Sequence, residues 1–386
     1  MKPKQFPEII LFLNDNPLPS LYTKGVISGK ELRLRSALKQ IKEIHVLAPK
    51  GVWMGDKHNK EIGKLEKKVH IHHIPTWPYY LRTIPLFLWG LYVMRGIKPD
   101  LIEAESPIIS GPAAVILSKL FNKLVVVEVR ASYYELIKHK VTWIPYALKK
   151  FMLNLVYLST LKQASGVIAN SRYYQQSLRA MGISSEIINP GIQLQSIKVT
   201  QSVKKSKTTI LGFLGRIETE KGVEILIEAM ELVLNQKGSA RNFMLLIAGE
   251  GLQRERLESF VKQSPILESR VKFLGFQKPC DFFPKIDILV NPNIVRHPLE
   301  MVNVEAAHYG KPVICFGDDQ IPETVVDGKT GVKVNAISAT DLAKAIRELI
   351  YDSRRYKQFS ALAPRLAQNY TFEAQVKKLH YFYEKL

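Results

Sequence analysis

Two doubly wound α/β domains are what this sequence predicts, and three observations carry the prediction. Short apolar runs bounded by turn residues alternate with helical patterns along the chain, as expected for parallel sheets with helices on both faces. At 386 residues the chain is long enough for two cores. A polar, basic segment, "SIKVTQSVKKSK" from Ser196 to Lys207, separates two sets of runs.

The first set is "EIILFL", "EIHVLAP", "VHIHHIP", "DLIEAE", "LVVVEVR" and "GVIAN"; the second is "TILGFLG", "FMLLIAG", "VKFLGF", "IDILVNP", "KPVICF" and "GVKVN". The predicted organisation is therefore an N-terminal Rossmann-like domain over 1–195, a linker over 196–207 and a C-terminal Rossmann-like domain over 208–370. The last segment, "TFEAQVKKLHYFYEKL" (371–386), opens with a Thr/Glu start signal and has a helical pattern. It is expected to pack back on the N-terminal domain. Domains of this kind facing across a cleft place ligands at the C-terminal ends of their strands.

Composition is that of a globular protein, with 46% hydrophobic and 23% charged residues. Two cysteines, Cys280 and Cys315, lack zinc or redox spacing, and the N-terminus does not read as a secretory signal. A reducing cytoplasm is the expected compartment.

The net charge of +20 is uneven: residues 1–200 hold 28 Lys+Arg against 13 Asp+Glu, leaving 27 against 22 for the remainder. A basic half suits nucleic acid, an anionic membrane or a phosphorylated substrate. No zinc-finger spacing, RNA-recognition signature or heptad-linked basic helix accompanies the charge, so nucleic acid is not an expected partner. Two apolar, aromatic stretches edged by Lys and Arg, "TWPYYLRTIPLFLWGLYVMRGIK" and "KHKVTWIPYALKKFMLNLVYLSTLK", lie in the basic half. Neither reaches the length of about 18 apolar residues needed to span a membrane. Contact with an anionic membrane surface and packing as ordinary core-facing helices both fit them.

Several phosphate and catalytic motifs fail. "GVISGKE" is too short between its glycines for a P-loop and has Glu31 where Ser or Thr would hold magnesium; "GEGLQRE" lacks the third glycine of a dinucleotide fingerprint. There is no G-x-S-x-G and no D-x-D. His70, His72 and His73 occupy a strand-like run in which His70 and His72 share a face, but no cysteine or acidic residue stands beside them in sequence. No metal and no cofactor are expected.

"GFLGRIETEKGVEILIEAM" is more informative, because Arg216 and Lys221 follow a strand directly and flank a turn before an amphipathic helix. A guanidinium fork and an ammonium there suit a diphosphate, although solvated loop charges would look the same. "RHPLEMVNVEAAHYGKPVICFG" sets Glu300 and Glu305 on a predicted helix with Pro298 in its first turn and Gly310 closing it. Five residues of helix separate the two carboxylates by about 140°, a poor geometry for an acid/base pair.

"FLGRIETEKGVEILIEAM", "LLIAGEG", "VKFLGF", "IDILVNPN" and "VEAAHYGKPVICFGDDQIPETVVDGKTGVKV" follow one another as in the retaining glycosyltransferases of family 4, whose fold is GT-B. The C-terminal half resembles that family along most of its length. The N-terminal half resembles it more loosely, in "SGKELRLRSAL", "PDLIEAESP", "VIANS" and "INPGI".

The resemblance implies sugar transfer from a nucleotide donor, a substrate rather than a cofactor, held mainly by the C-terminal domain. The acceptor falls to the N-terminal domain. Arg216 and Lys221 would bind the donor diphosphate, and Glu305 the ribose hydroxyls. Gly29 and Gly215 would approach the donor closely, and Val302 and Asn303 would line its site beside Glu305. Uridine is the base expected from family frequency.

Two departures stand out. The family's first glutamate should fall at His297, and Glu300 occupies a usual glycine position, so "HPLEMVNVE" is either a variant sugar pocket, with His297 or Glu300 on donor hydroxyls, or a degenerate site. Arg130 stands where many members carry histidine near the reacting carbon, and would add a third cation to Arg216 and Lys221. The expected protein is a cytoplasmic transferase, peripheral at the inner face of the membrane, acting on a lipid-linked or cell-envelope glycan such as lipopolysaccharide or O-antigen. The competing readings are a catalytically silent scaffold and a nucleotide-sugar epimerase of the same fold.

Overall fold

The computed structural model describes residues 6–15, 37–50, 68–130, 146–192, 208–235, 242–295 and 297–386. Gly29, most of "SGKELRLRSAL" and the 196–207 linker lie outside the described residues. The chain divides into two compact units, Met1–Pro190 with Phe372–Leu386, and Gly191–Thr371.

The first unit is built on a parallel sheet of strands β1 (Ile9–Leu13), β2 (Glu43–Pro49), β3 (Val69–Ile74), β4 (Leu101–Ala104), β5 (Leu124–Val129), β6 (Gly166–Ala169) and β7 (Glu186–Ile187), in the order β3-β2-β1-β4-β5-β6-β7. Its described helices are α1 (Thr83–Ile97), α2 (Ser110–Phe121), α3 (Tyr146–Gln163) and α4 (Arg172–Ala180). All six predicted runs are strands. β7 was not foreseen, since two residues are too short to show a period.

Alternation along the strands sorts the core by face. Leu11, Leu13, Ile102 and Val127 pack with Leu86 of α1 and Leu117 of α2. Ile10, Phe12, Val46 and Val126 face the other way and meet Leu379, Phe382 and Tyr383. Those three belong to the chain's last helix (Phe372–Lys385), which thus supplies one covering layer of the first unit. Burying each such side chain contributes about 1.5–3 kcal/mol. The Tyr383 hydroxyl donates to the buried Glu103 carboxylate, satisfying both polar groups inside the core.

The second unit carries β8 (Thr208–Leu214), β9 (Asn242–Ala248), β10 (Val271–Gly275), β11 (Ile288–Asn291), β12 (Val313–Phe316) and β13 (Gly331–Val334), all parallel, in the order β10-β9-β8-β11-β12-β13. Helices α5 (Val223–Leu234), α6 (Arg254–Gln263), α7 (Met301–His308), α8 (Ala339–Tyr351) and α9 (Ser353–Ala367) surround it, and the chain's last helix is α10. Leu211, Phe213, Ile247 and Val290 pack on Leu226 and Met230 of α5 and Ile346 of α8. Two sheets with reversed strand order about β1 and β8, each wound with helices, are the GT-B domain plan.

Two surface features of the first unit stand apart from its core. Helices α1, α2 and α3 pack side by side and leave Leu88, Tyr92, Leu120, Phe151, Met152 and Leu155 exposed, Tyr92 at 78%. Among the described residues no helix is long and apolar enough to cross a membrane. On the β2–β3 edge, parallel register sets His45 beside His70 and Leu47 beside His72. Burial, followed by the charge of neighbouring imidazoles, holds His72 below the usual histidine range. Burial does the same to His45, against the pull of Glu43.

Candidate active site

In each unit the strand order reverses at a point that leaves a crevice beyond the carboxyl ends of the strands. In the second unit that point lies between β8 and β11. β8 ends at Leu214, and Gly215 follows with its N–H donating to the Ala248 carbonyl at 3.0 Å. Arg216 is 66% exposed and pairs with Glu220 at 2.6 Å. A single 3-10 turn, Thr219–Lys221, then delivers Gly222, whose φ of +66° opens α5.

The turn is bound to the loop after β11: Ile294 N–H donates to the Glu220 carbonyl at 2.9 Å, and the Gly222 backbone lies against Pro292. Lys221 and Asn293 therefore belong to one constellation.

The third part of that constellation is the segment before α7. Pro298 does not enter the helix. Its carbonyl accepts the Glu323 N–H at 2.8 Å, which ties the segment to the loop after β12 and delays the helix start to Met301. Glu300 is the N-terminal cap residue with extended backbone (φ −104°, ψ 100°), so of the two carboxylates only Glu305 is helical. A helical separation of about 140° consequently does not describe the pair. Gly310 does close the helix in the left-handed region at φ +65°.

Outside the helix, Glu300 reaches Lys221, with Oε2 and Nζ 3.8 Å apart, and both side chains are largely shielded. Its other oxygen, Oε1, and both amide atoms of Asn293 are buried without a hydrogen-bond partner among the described residues. Buried polar atoms without partners are rare because each costs about 1–3 kcal/mol. Three such atoms, on the residue that pairs with Lys221 and on the loop bonded to its turn, make this switch point the candidate ligand site of the second unit.

His297 is exposed, Glu305 half-buried, and Val302 packs against the β11–β12 side of the core. Asn303 has a different task from ligand contact by its side chain: fully buried, it accepts from Asn291 Nδ2 at 2.9 Å and donates to Thr324 Oγ1 at 3.1 Å. It fastens α7 to β11 and so positions Glu300 and Glu305.

The first unit has a corresponding cluster beyond β1, β4 and β5. Asp15 follows β1, Glu105 follows β4, and Arg130 follows β5. The Asp15 N–H donates to Glu105 Oε2 at 2.8 Å, and the Asp15 carboxylate accepts the N–H of Ser110 at the start of α2 at 3.1 Å. Arg130 Nε donates to Glu128 at 2.5 Å, and its Nη1 lies 3.4 Å from Glu105 Oε1. Arg130 is thus a largely shielded, carboxylate-held cation, and Asp15 and Glu105 are members of this cluster that sequence reading missed.

Burial, reinforced by the Asp15 charge and opposed by Arg130, pushes Glu105 up to about 7. A folded-state value above the unfolded 4.5 means that the folded protein binds the extra proton between those values. Stability is therefore expected to fall as pH rises from about 4.5 through about 7, and Glu105→Gln to flatten that slope. Urea titrations of both proteins across this window check it; parallel slopes would contradict it.

Residues 33–196 match the family model Glycosyltransferase Family 4, and residues 208–352 match Glycosyl transferases group 1. Over 210 residues the chain is 26% identical to D-inositol 3-phosphate glycosyltransferase of Corynebacterium diphtheriae, covering 53% of this chain and 49% of that protein. The chain spans about half the length of the curated relatives it matches in this way. In fold it is similar to Anabaena HepE solved with UDP, at TM-score 0.71 and 18% identity over 98% of this chain and 100% of that one. It is also similar to the lipopolysaccharide outer core galactosyltransferase WaaB, at TM-score 0.70 and 16% identity with the same coverage.

Proposed function

We propose that this chain, which belongs to the GT-B glycosyltransferases through its Family 4 and group 1 domains, transfers a sugar from a nucleotide donor to a lipid-linked or cell-envelope glycan with retention of configuration. The observation that carries the reading is the Lys221–Glu300 pair with the unpartnered Glu300 Oε1 and Asn293 amide at the β8–β11 switch point. A UDP-sugar is the preferred donor; HepE, similar in fold, has been solved with UDP and glucose.

In this reading Lys221 and Arg216 hold the diphosphate, Arg216 leaving Glu220 to do so. Glu305 takes the ribose hydroxyls. Glu300, with Asn293, takes the sugar hydroxyls that the absent glutamate at His297 would otherwise bind, while His297 lies at the rim. Gly215 and Val302 line the donor, Gly29 approaches it by its backbone, and Asn303 positions α7.

The sugar C1–oxygen bond to the diphosphate breaks as the acceptor hydroxyl attacks C1 from the same face. The proton of that hydroxyl passes to the departing diphosphate oxygen. No protein carboxylate need act as nucleophile, so the protein's contribution is positioning and stabilisation of the leaving charge. Arg130 adds positive charge on the acceptor-binding unit, and no metal takes part.

The acceptor is membrane-borne in this account, with the protein cytoplasmic and peripheral. Support comes from the exposed apolar residues of α1, α2 and α3 and from the basic N-terminal half.

Two experiments test the proposal. Proton NMR of slow donor hydrolysis, run with UDP-, GDP- and ADP-sugars, is expected to show the α-anomer released first from an α-linked UDP-sugar; a β-anomer, or no release, contradicts it. The protein is also expected to float with anionic phosphatidylglycerol vesicles, and Leu120→Ser with Phe151→Ser to abolish flotation. Indifference to those vesicles contradicts the membrane part.

A further inference from the structure

The first unit carries a second constellation, remote from the strand ends just described. Glu43 opens β2, His45 follows two residues later on the same face, and parallel register places His70 of β3 beside His45. Ligand atoms of these three residues lie within 4.8 Å of one another. His72, next on the same face of β3, meets His45 from the other side: His45 Nδ1 and His72 Nε2 are 2.9 Å apart, while His45 Nε2 is 3.1 Å from Glu43 Oε2.

The rings stack, with centroids 4.7 Å apart for His45 and His70 and 5.2 Å apart for His45 and His72. His45 is buried and His70 exposed, so the group is fixed at its base and open to solvent at its rim.

We propose that Glu43, His45 and His70 bind a transition-metal dication of the zinc type, with His72 holding the His45 ring. Two imidazoles and one carboxylate are a known donor set for zinc, and imidazole selects such ions over magnesium or calcium. Zinc–nitrogen bonds of about 2.0–2.1 Å put tetrahedral ligand atoms about 3.3 Å apart, so side-chain rotation must close the present spacing by about 1.5 Å at most.

His45 then ligates through Nε2, and its Nδ1–H donates to His72 Nε2. A ligating histidine ordinarily has its second nitrogen engaged in this way.

The place defines the role. Glu43 is the first residue of β2 and His70 the second of β3, at the opposite end of a parallel sheet from Asp15, Glu105 and Arg130. A cation there staples the edge strand β3 to β2 and takes no part in sugar transfer.

The sequence alone discounted His70 and His72 because no acid stood near them. The fold supplies one from a strand some 27 residues earlier, the separation of His45 and His72.

The test uses untagged, full-length protein stripped with chelator and titrated with Co2+ and Zn2+, read by visible cobalt absorption, equilibrium dialysis and thermal unfolding. One Co2+ per chain is expected, displaced by Zn2+, with a rise in melting temperature as metal binds the folded state. His70→Gln and Glu43→Gln, both at solvent-accessible positions, are each expected to weaken binding more than about tenfold. His73→Gln, on the opposite face of β3, should leave it unchanged. Absence of stoichiometric binding would overturn the proposal, as would binding that survives both ligand substitutions or is lost equally in His73→Gln.

Discussion

Lys221→Ala is expected to lower the rate of sugar transfer by about two to three orders of magnitude while the protein stays folded. The ammonium sits at the end of a 3-10 turn whose backbone bonds do not involve the side chain, so the loop persists without it. What is lost is a fixed positive charge beside the proposed leaving group, in a shielded position where Coulomb interactions are stronger than in water. The Glu300 carboxylate also loses its 3.8 Å partner, which adds a fault in the sugar contacts. Arg216→Ala is expected to act in the same direction and less strongly, because its guanidinium is exposed and held by Glu220 before donor arrives. Initial rates at saturating donor, with circular dichroism as the control for folding, decide the matter. A Lys221→Ala protein of undiminished activity contradicts the assignment.

Gly222→Ala is expected to disable the site with a single methyl. At φ +66° an L side chain is strained by about 1–3 kcal/mol. Its Cβ would also stand 2.0 Å from the Pro292 carbonyl oxygen, backbone that has no rotamer with which to yield. Either the Thr219–Lys221 turn or the loop after β11 must move, and the Ile294–Glu220 bond that joins them goes with it. The expected result is a melting temperature lowered by several degrees together with loss of nucleotide binding. A variant with unchanged stability and binding would mean that the two loops do not act as one unit.

Secondary structure was readable where a local pattern sufficed. The apolar runs flanked by turn residues are strands, including the whole of β2 as "EIHVLAP". The start of α7 was not, because it depends on the Pro298 carbonyl meeting an N–H at Glu323, far along the chain. The site divides in the same way. Arg216 and Lys221 stand at the end of a strand and before a helix, a position legible in one dimension.

Asp15 and Glu105 each close an apolar run and become a pair only because β1 and β4 are neighbours in the sheet. Asn293 appears in the sequence as an ordinary turn residue; its burial without partners is a property of the folded loops. The histidines of β3 acquire their acid and their third imidazole from parallel register with β2. Signals that required sheet order or register were beyond a single sequence, whereas strand-end charge was not.

The measurement that tests the central claim most directly is thermal unfolding of the purified protein with UDP, GDP, ADP and their sugar conjugates, alongside Lys221→Ala. A ligand that binds only the folded state raises the melting temperature by mass action, by about 2.7 kcal/mol of stability at a hundredfold excess over Kd. The expected result is a selective rise with UDP and a UDP-sugar that disappears in the Lys221 variant. No rise with any nucleotide, or an equal rise in the variant, would contradict a donor site built on Lys221 and Glu300.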